Sequence, residues 1–561
     1  MMNLLGIAMD NGFWQKVRDG ECYEQFRAAT LELWNKHCEG KEILALKYSD
    51  FKLFFTSGNR KVYEETYFTR RLALDSAAIL SLVYPEEEKY FLRLMDEIYA
   101  ICDEYTWCLP AHQGQIEKND NCHIDLFAAE TGYALAEIYT LLCDRLDPLI
   151  KSRIETEIER RIFSSYEGTA PYGHWETCTN NWNAVCTGSV ACTYMLMSPS
   201  RAEKLFSRFE RSMEIYLSGL GDDGICGEGC GYWKYGFGFF TVYADMAKTF
   251  TKGAVNHFDD PKVKTVATYL QKMFLTDDVA VNFADSGRTL NYQLALQHYL
   301  KSVYPEDVLV YPAKYSYIHD HCGRFCLGIR SAVWFSEEYY LHPDSTDAPF
   351  EFFAEKSEWF VKKTHSYGLA AKGGNNREHH NHNDVGSFIY AKGGRQILAD
   401  PGSGIYTRQY FKDESRYTEV FEPSSAAHNV PIVDGAFQKN GSKYRARNTR
   451  VENSVFITEI AEAYGNDRLA SLERRIACGD EGITLTDRFE CEDGCELVER
   501  FITFIKPAVE KGRIILEDGI IEIRTPCDIS VKKQTVRVAE TAYLIDMRLP
   551  AGLKTFACSI K

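Results

Sequence analysis

The segment EHHNHNDVGSFIYAKGGRQILADPGSG, residues 378–404, places histidines at 379, 380 and 382, an Asp at 384 and a second Asp at 400. Imidazole moves protons near neutral pH and ligates divalent transition metals, so this is where chemistry is expected first. If 380–390 form one strand, His380, His382 and Asp384 share a face, and His379, Asn381 and Asn383 share the other. Alternate residues on a strand stand about 7 Å apart, which lets His380 and His382 serve adjacent but separate tasks. A metal held by imidazole and carboxylate needs further ligands from elsewhere, and Asp400 and His428 (in SSAAHNVPIVDG) are the natural partners. One difficulty is geometric. If AKGGR is a tight turn, the ladder sets Asp400 opposite Ser387, and a bulge or a bend in DPGSG must bring the carboxylate back. The bland alternative is a polar strand end with solvated histidines; four imidazoles so placed argue against it.

Two further constellations lie upstream. In GHWETCTNNWNAVCTGSV, residues 173–190, Asn180 and Asn181 precede an apolar run, and N-capping accounts for one of them. Flanked by Trp175 and Trp182, the pair describes a site for a polar ring with apolar faces, meaning a sugar. In DDGICGEGCGYWKYGFGFF, residues 222–240, the glycines allow close backbone approach, and Tyr232, Trp233 and Tyr235 follow. A tyrosine at a cleft rim exchanges protons if a nearby cation lowers its pKa; the bland reading is core packing at a helix start. GSKYRARNTR, residues 441–450, carries Lys443, Arg445, Arg447 and Arg450. It is either an anion site or a solvated strand face.

These groups must be positioned by two kinds of element. From about residue 20 to 305, segments such as EQFRAATLELWNKHC, YFTRRLALDSAAILSLVY and DLFAAETGYALAEIYTLLC place apolar residues at i, i+3, i+4 and i+7. Later helices are expected at 181–198, 201–219, 233–251 and 261–275, in an antiparallel hairpin array closed into a toroid or left open as a solenoid. After about 310 the period becomes two, in FCLGIRSAVWF, GSFIYAK, RQILAD, LERRIACGDEGITLTDRFE and others, which reads as a sandwich of two antiparallel sheets. The change falls near VYPEDVLVYPAKYSY, giving domains over 1–308 and 309–561.

A chain of 561 residues exceeds one ordinary core. Its formal charge of −16 argues against nucleic acid as a partner, and any acidic substrate must be met by local positive charge. The 13% aromatic content suits deep cores and sugar-stacking clefts alike. The start reads as neither signal peptide nor membrane span. The 18 cysteines show no CxxC pair, so reduced thiols in a cytoplasm fit best.

Taken together, these segments resemble the heparinase II/III-like family of polysaccharide lyases. The match is most specific at HNHNDVGSFIYAKGGRQILADPGSGIYT, followed by AAHN and a VDG turn. NNWNAVCTGS and DGICGEGCGYWKYG resemble the family's two helical-domain signatures in the expected order. The resemblance spans nearly the whole chain and implies an incomplete (α/α) toroid followed by an antiparallel β-sandwich, with the site in the cleft between them. It gives His380, Tyr232 and Asn181 catalytic places. His382, Asp400 and His428 take those of ligands to one divalent metal, mainly structural and zinc-like, with Mn or Ca as the other options. Asn180 is the fallback for Asn181, and Tyr235 competes with Tyr232. Trp175, Trp182, Arg377 and Tyr417 join Asn180 and Tyr235 as substrate-binding candidates.

The reaction implied is β-elimination on a uronic acid linked through its 4-oxygen. Asn181 stabilises charge on the carboxylate as the weakly acidic C5 proton leaves. Tyr232 acts alone, or His380 acts as base with Tyr232 as acid. The product ends in a 4,5-unsaturated uronate. The substrates implied are glycosaminoglycans of heparan sulfate, chondroitin or hyaluronan type; the expected cytoplasmic location suggests imported short chains, cut from the end. Alginate or another oligouronate is an alternative substrate. The main rival is a glycoside hydrolase on an (α/α) toroid using Asp222, Asp223 and Glu228, and another is a sugar-binding protein without turnover. A homo-oligomer is compatible with all of these.

Overall fold

The structure, a computed structural model, describes residues 3–114, 121–276, 279–288, 293–311, 320–345, 348–537 and 540–561. The chain divides into two compact units. One comprises Met1–Gly219, Lys234–Lys264 and Asn291–Asp344; the other comprises Leu220–Trp233, Thr265–Leu290 and Ser345–Lys561.

The first unit is helical, as the apolar periodicity predicts. Its principal helices are Glu24–His37, Lys61–Val83, Glu88–Cys102, Leu126–Leu142, Asn181–Met197 and Pro199–Gly219. Lys61–Val83 is apolar nearly all round over Ala73–Leu80 and is correspondingly central, with Ala77, Ala78 and Ile79 buried. Leu126–Leu142 packs on Asn181–Met197, which packs on Pro199–Gly219. Two sequence expectations change here. The stretch 261–275 splits into helices Pro261–Ala267 and Tyr269–Lys272 and a short strand, Phe274–Thr276. FCLGIRSAVWF is a helix, Phe325–Val333, not a strand. Its apolar residues Phe325, Ile329 and Ala332 fit the helical period as well as alternation does, an ambiguity inherent in short apolar runs. Of the segment expected to mark the change of period, residues 312–317 lie outside the described residues.

The second unit carries antiparallel sheets of eight, four and five strands. The five-stranded and four-stranded sheets meet where Ala399 N–H donates to the Ile502 carbonyl at 2.8 Å. One core, including Phe388, Tyr390, Leu472, Leu485, Phe501 and Ile545, draws on all three sheets, which makes the unit a sandwich. Two buried polar residues fix its inner geometry. Asn429 donates to the Phe388 and Ala399 carbonyls and accepts from Ile502 N–H, so a single amide ties three segments. Arg474 is fully buried with Asp487 and Glu499 and also donates to the carbonyls of Gly386 and Asn429. Burial, together with the neighbouring Asp487, drives the Glu499 carboxyl well above its ordinary range, so Arg474 and Asp487 form the charged pair. The 18 cysteines are free thiols.

Candidate active site and metal centre

The histidines do not lie on a strand. The strand begins at Phe388, and residues 379–387 form a loop before it. HHNHND lacks the β-branched and aromatic residues a strand needs, and its backbone is satisfied by other partners. Arg416 Nη2 holds the carbonyls of His380 and Asn381, Asn383 N–H donates to the Pro423 carbonyl, and Val385 N–H donates to Gln438 Oε1. Gly386, at φ +83°, turns the chain into the strand, and His380 itself sits at φ +56°. His380, His382 and Asp384 therefore do not share a strand face. Asp384 pairs with the Lys372 ammonium at 2.7 Å.

The bulge demanded by the ladder is present. Between Tyr390↔Leu398 and Ala391↔Gln396 the register shifts by one residue. Beyond it, Gly402 at φ +66° donates its N–H to Asp400 Oδ1 at 2.7 Å, leaving Oδ2 to face the histidines. A side chain at 402 would strike the Ser286 carbonyl, since a Cβ there would lie 2.2 Å from it.

His382, Asp400 and His428 bring one ligand atom each to within 4.8 Å of one another, and all three residues are buried. His428 Nε2 donates to the Glu422 carbonyl at 3.0 Å, and His382 Nε2 lies 3.1 Å from Asp285 Oδ1. Both histidines thus carry the proton on Nε2 and present an Nδ1 lone pair. His382 Nδ1, Asp400 Oδ2 and His428 Nδ1 have no hydrogen-bond partner, although the last two approach to 3.0 Å. Two imidazole lone pairs and a carboxylate oxygen, oriented from behind by other groups, fit a divalent transition metal.

Beside them stands a residue that the motifs did not reveal. Asp285 is buried and receives His380 Nδ1 at 2.7 Å, His382 Nε2 at 3.1 Å, Arg416 Nη2 at 3.0 Å, Tyr406 Oη at 3.3 Å and the Tyr410 hydroxyl. Burial alone raises its pKa, but the hydrogen bonds from His380 and His382 and the charge of Arg416 outweigh it, and the carboxyl stays well below its usual range. Gly229, at φ +92°, lets the Asp285 segment come close, since a Cβ there would meet Ser286 Oγ at 2.1 Å.

Tyr232, in the first turn of the helix Cys230–Phe250, stacks on His380 with ring centroids 4.1 Å apart, and its hydroxyl bonds Tyr406 Oη at 2.9 Å. Burial and the Asp285 charge raise the Tyr232 pKa above its ordinary value. The sequence reading made proton exchange depend on a lowered value. The structure instead keeps the phenol protonated, as a donor. Tyr417 is a brace: its hydroxyl donates to Asn381 Oδ1 at 3.0 Å. Arg377 is exposed and paired with Asp413 at 2.5 Å. Arg447 and Arg450 pair with Glu462 and Glu452 on an exposed face, so the basic strand is a solvated one.

In the helical unit, Asn180 is the N-cap, accepting Trp182 N–H at 3.1 Å, and Asn181 is the first residue of the helix and buried. A side chain at Gly236 would crowd Asn181, with a Cβ 3.1 Å from its own. Trp175 is core: it is buried, donates to the Ile124 carbonyl at 2.9 Å and lies parallel to Tyr166, leaving no face for a sugar. Trp182 is partly open and meets the rings of His112 and His174 at 4.8 and 5.1 Å. His112 Nδ1 is held by Asp125 at 2.7 Å, another pair the motifs missed. Tyr235 donates to Glu130, with the Arg324 guanidinium 4.1 Å over its ring, so its phenol is bound to a half-buried ion pair.

Residues 351–549 match the family model described as Heparinase II/III-like, C-terminal, and are such a domain. No curated protein matches the chain. Heparan sulfate lyase HepC from Pedobacter heparinus is similar in structure, with TM-score 0.59 and 13% identity over 95% of this chain and 82% of that one. A crystal structure of heparinase III gives TM-score 0.63 and 13% identity, covering 100% and 92% of the two chains. Chondroitin AC lyase of Streptomyces coelicolor A3, in complex with chondroitin sulphate, gives 0.55 and 10%, covering 99% and 82%. At such identities the likeness shows the fold: a toroid-type helical region followed by antiparallel sheets.

Proposed function

We propose that the protein is a polysaccharide lyase that cleaves uronic-acid-containing glycosaminoglycans by β-elimination. The observation that carries this reading is the stacked pair of Tyr232 and His380, with His380 Nδ1 bound to Asp285. The carboxylate accepts a hydrogen bond from Nδ1–H, so the proton stays on Nδ1 and Nε2 keeps its lone pair and serves as the base for the C5 proton. Tyr232, protonated because burial raises its pKa, supplies a proton to the departing 4-oxygen. Asn181 is assigned the substrate carboxylate, whose charge must be stabilised as C5 loses its proton. The solved heparan sulfate and chondroitin lyases of like fold support the substrate class.

His382, Asp400 and His428 would hold one divalent ion, most naturally Zn²⁺, which would cross-link the histidine loop to the segments bearing Asp400 and His428. The hydrolase alternative loses one of its three carboxylates. Asp223 is engaged by Ile225 N–H and by Ser357 N–H and Oγ, which makes it a loop brace.

The test is an ultraviolet screen across heparan sulfate, chondroitin, hyaluronan and alginate oligosaccharides. New absorbance from the unsaturated uronate supports the reading. Release of reducing ends without it means hydrolysis and overturns the proposal.

A further inference from the structure

We propose that Asp285 is a positioning residue that fixes opposite tautomers in His380 and His382, one for proton transfer and one for metal ligation. An ionised carboxylate only accepts hydrogen bonds, so each imidazole nitrogen that meets it must carry the proton. Oδ2 meets His380 at Nδ1, 2.7 Å away, and this frees His380 Nε2. Oδ1 meets His382 at Nε2, 3.1 Å away, and this frees His382 Nδ1, the atom that faces Asp400 and His428. Two residues apart in the chain, the imidazoles approach one carboxylate by different nitrogens. The left-handed backbone at His380 belongs to that arrangement. Tyr406, which donates to Oδ2, also bonds Tyr232, so the same carboxylate reaches the phenol through one hydroxyl.

The two oxygens are not equivalent. Arg416 Nη2 and the Tyr410 hydroxyl both donate to Oδ1. In Asp285→Asn the single amide oxygen is therefore held on that side, where it still accepts from His382. The amide NH₂ is turned toward His380 and can only donate, so His380 must move its proton to Nε2 and lose its lone pair there. The consequence for turnover rests on the lyase reading; the tautomer assignment does not.

The experiment is ¹⁵N NMR of histidine-labelled protein, with His380 and His382 assigned through His380→Gln and His382→Gln. In parallel, metal content and kinetics are measured for Asp285→Asn. The expected result is His380 protonated at Nδ1 and His382 at Nε2 in the wild type, and both at Nε2 in the variant. The variant keeps its metal and its KM, while kcat falls on the order of a hundredfold or more. Like tautomers in the wild type, or an unchanged kcat in the variant, overturn the proposal. So does a parallel loss of metal and kcat without a tautomer change, which a merely structural role would give. If Asp285→Asn does not fold, the wild-type spectrum decides alone. A wild type inactive on every uronate defeats the lyase reading and leaves the tautomer test standing.

Discussion

The Tyr232 ring lies on the His380 imidazole at 4.1 Å, with planes 21° apart. The stack depends on the ring and the proposed proton transfer depends on the hydroxyl, so the two can be separated. Tyr232→Phe keeps the stack and loses the bond to Tyr406. Its kcat on the preferred uronate is expected to fall roughly a hundredfold or more, with KM and thermal midpoint little changed. Stopped-time absorbance and a melting curve check both halves.

The donor set makes a prediction independent of turnover. Purified protein is expected to carry one divalent transition-metal ion per chain by elemental analysis. Asp400→Ala is expected to lose it and to melt at lower temperature. Gly402→Ala is expected to lose metal too, because the side chain collides with the Ser286 carbonyl and displaces the turn that aims Asp400. A Gly402→Ala protein with full metal content would show that this turn is not what orients the carboxylate.

Arg474 is worth more than a surface ion pair. Replacing it by Met leaves Asp487 buried without its counter-charge, a change that costs about 4 kcal/mol in comparable cases. Urea unfolding measures it. A loss below about 1 kcal/mol would mean that Asp487 simply takes up a proton.

Acid sensitivity has an identifiable contributor in the helical unit. His298 is buried, accepts Ser336 N–H on Nδ1 at 2.9 Å, and is pushed by burial from 6.5 down to about 4. Above pH 6.5 it is neutral both folded and unfolded. Between 6.5 and 4 the unfolded chain takes a proton that the fold refuses, so stability drops as pH falls, by roughly 3 kcal/mol across the window. Below about 4 the loss is complete and constant. His298→Asn keeps an acceptor for Ser336 but cannot titrate, so its stability is expected to fall less than that of the wild type between pH 6.5 and 4 in denaturant titrations.

The convergence of His382, Asp400 and His428 was legible because two imidazoles and a carboxylate are residue types that few other structures require together. The need for a bulge or a bend to bring Asp400 back was legible too, from ladder counting alone. The loop conformation was not, because Arg416 and Gln438 satisfy its backbone from distant segments. Asp285 was hidden for the same reason. It lies 95 residues from His380 in sequence, in a stretch with no distinctive pattern. The indoles of Trp175 and Trp182 look equivalent in sequence, and only packing separates a core ring from an accessible one.

The positive φ at His380 has a cost of its own. A β-carbon in that region of backbone space is unfavourable by about 1 kcal/mol or more, which glycine avoids. A glycine here would relieve that strain but forfeit the stack on Tyr232 and the hydrogen bond to Asp285, so the strained backbone persists because those two contacts hold the imidazole in place.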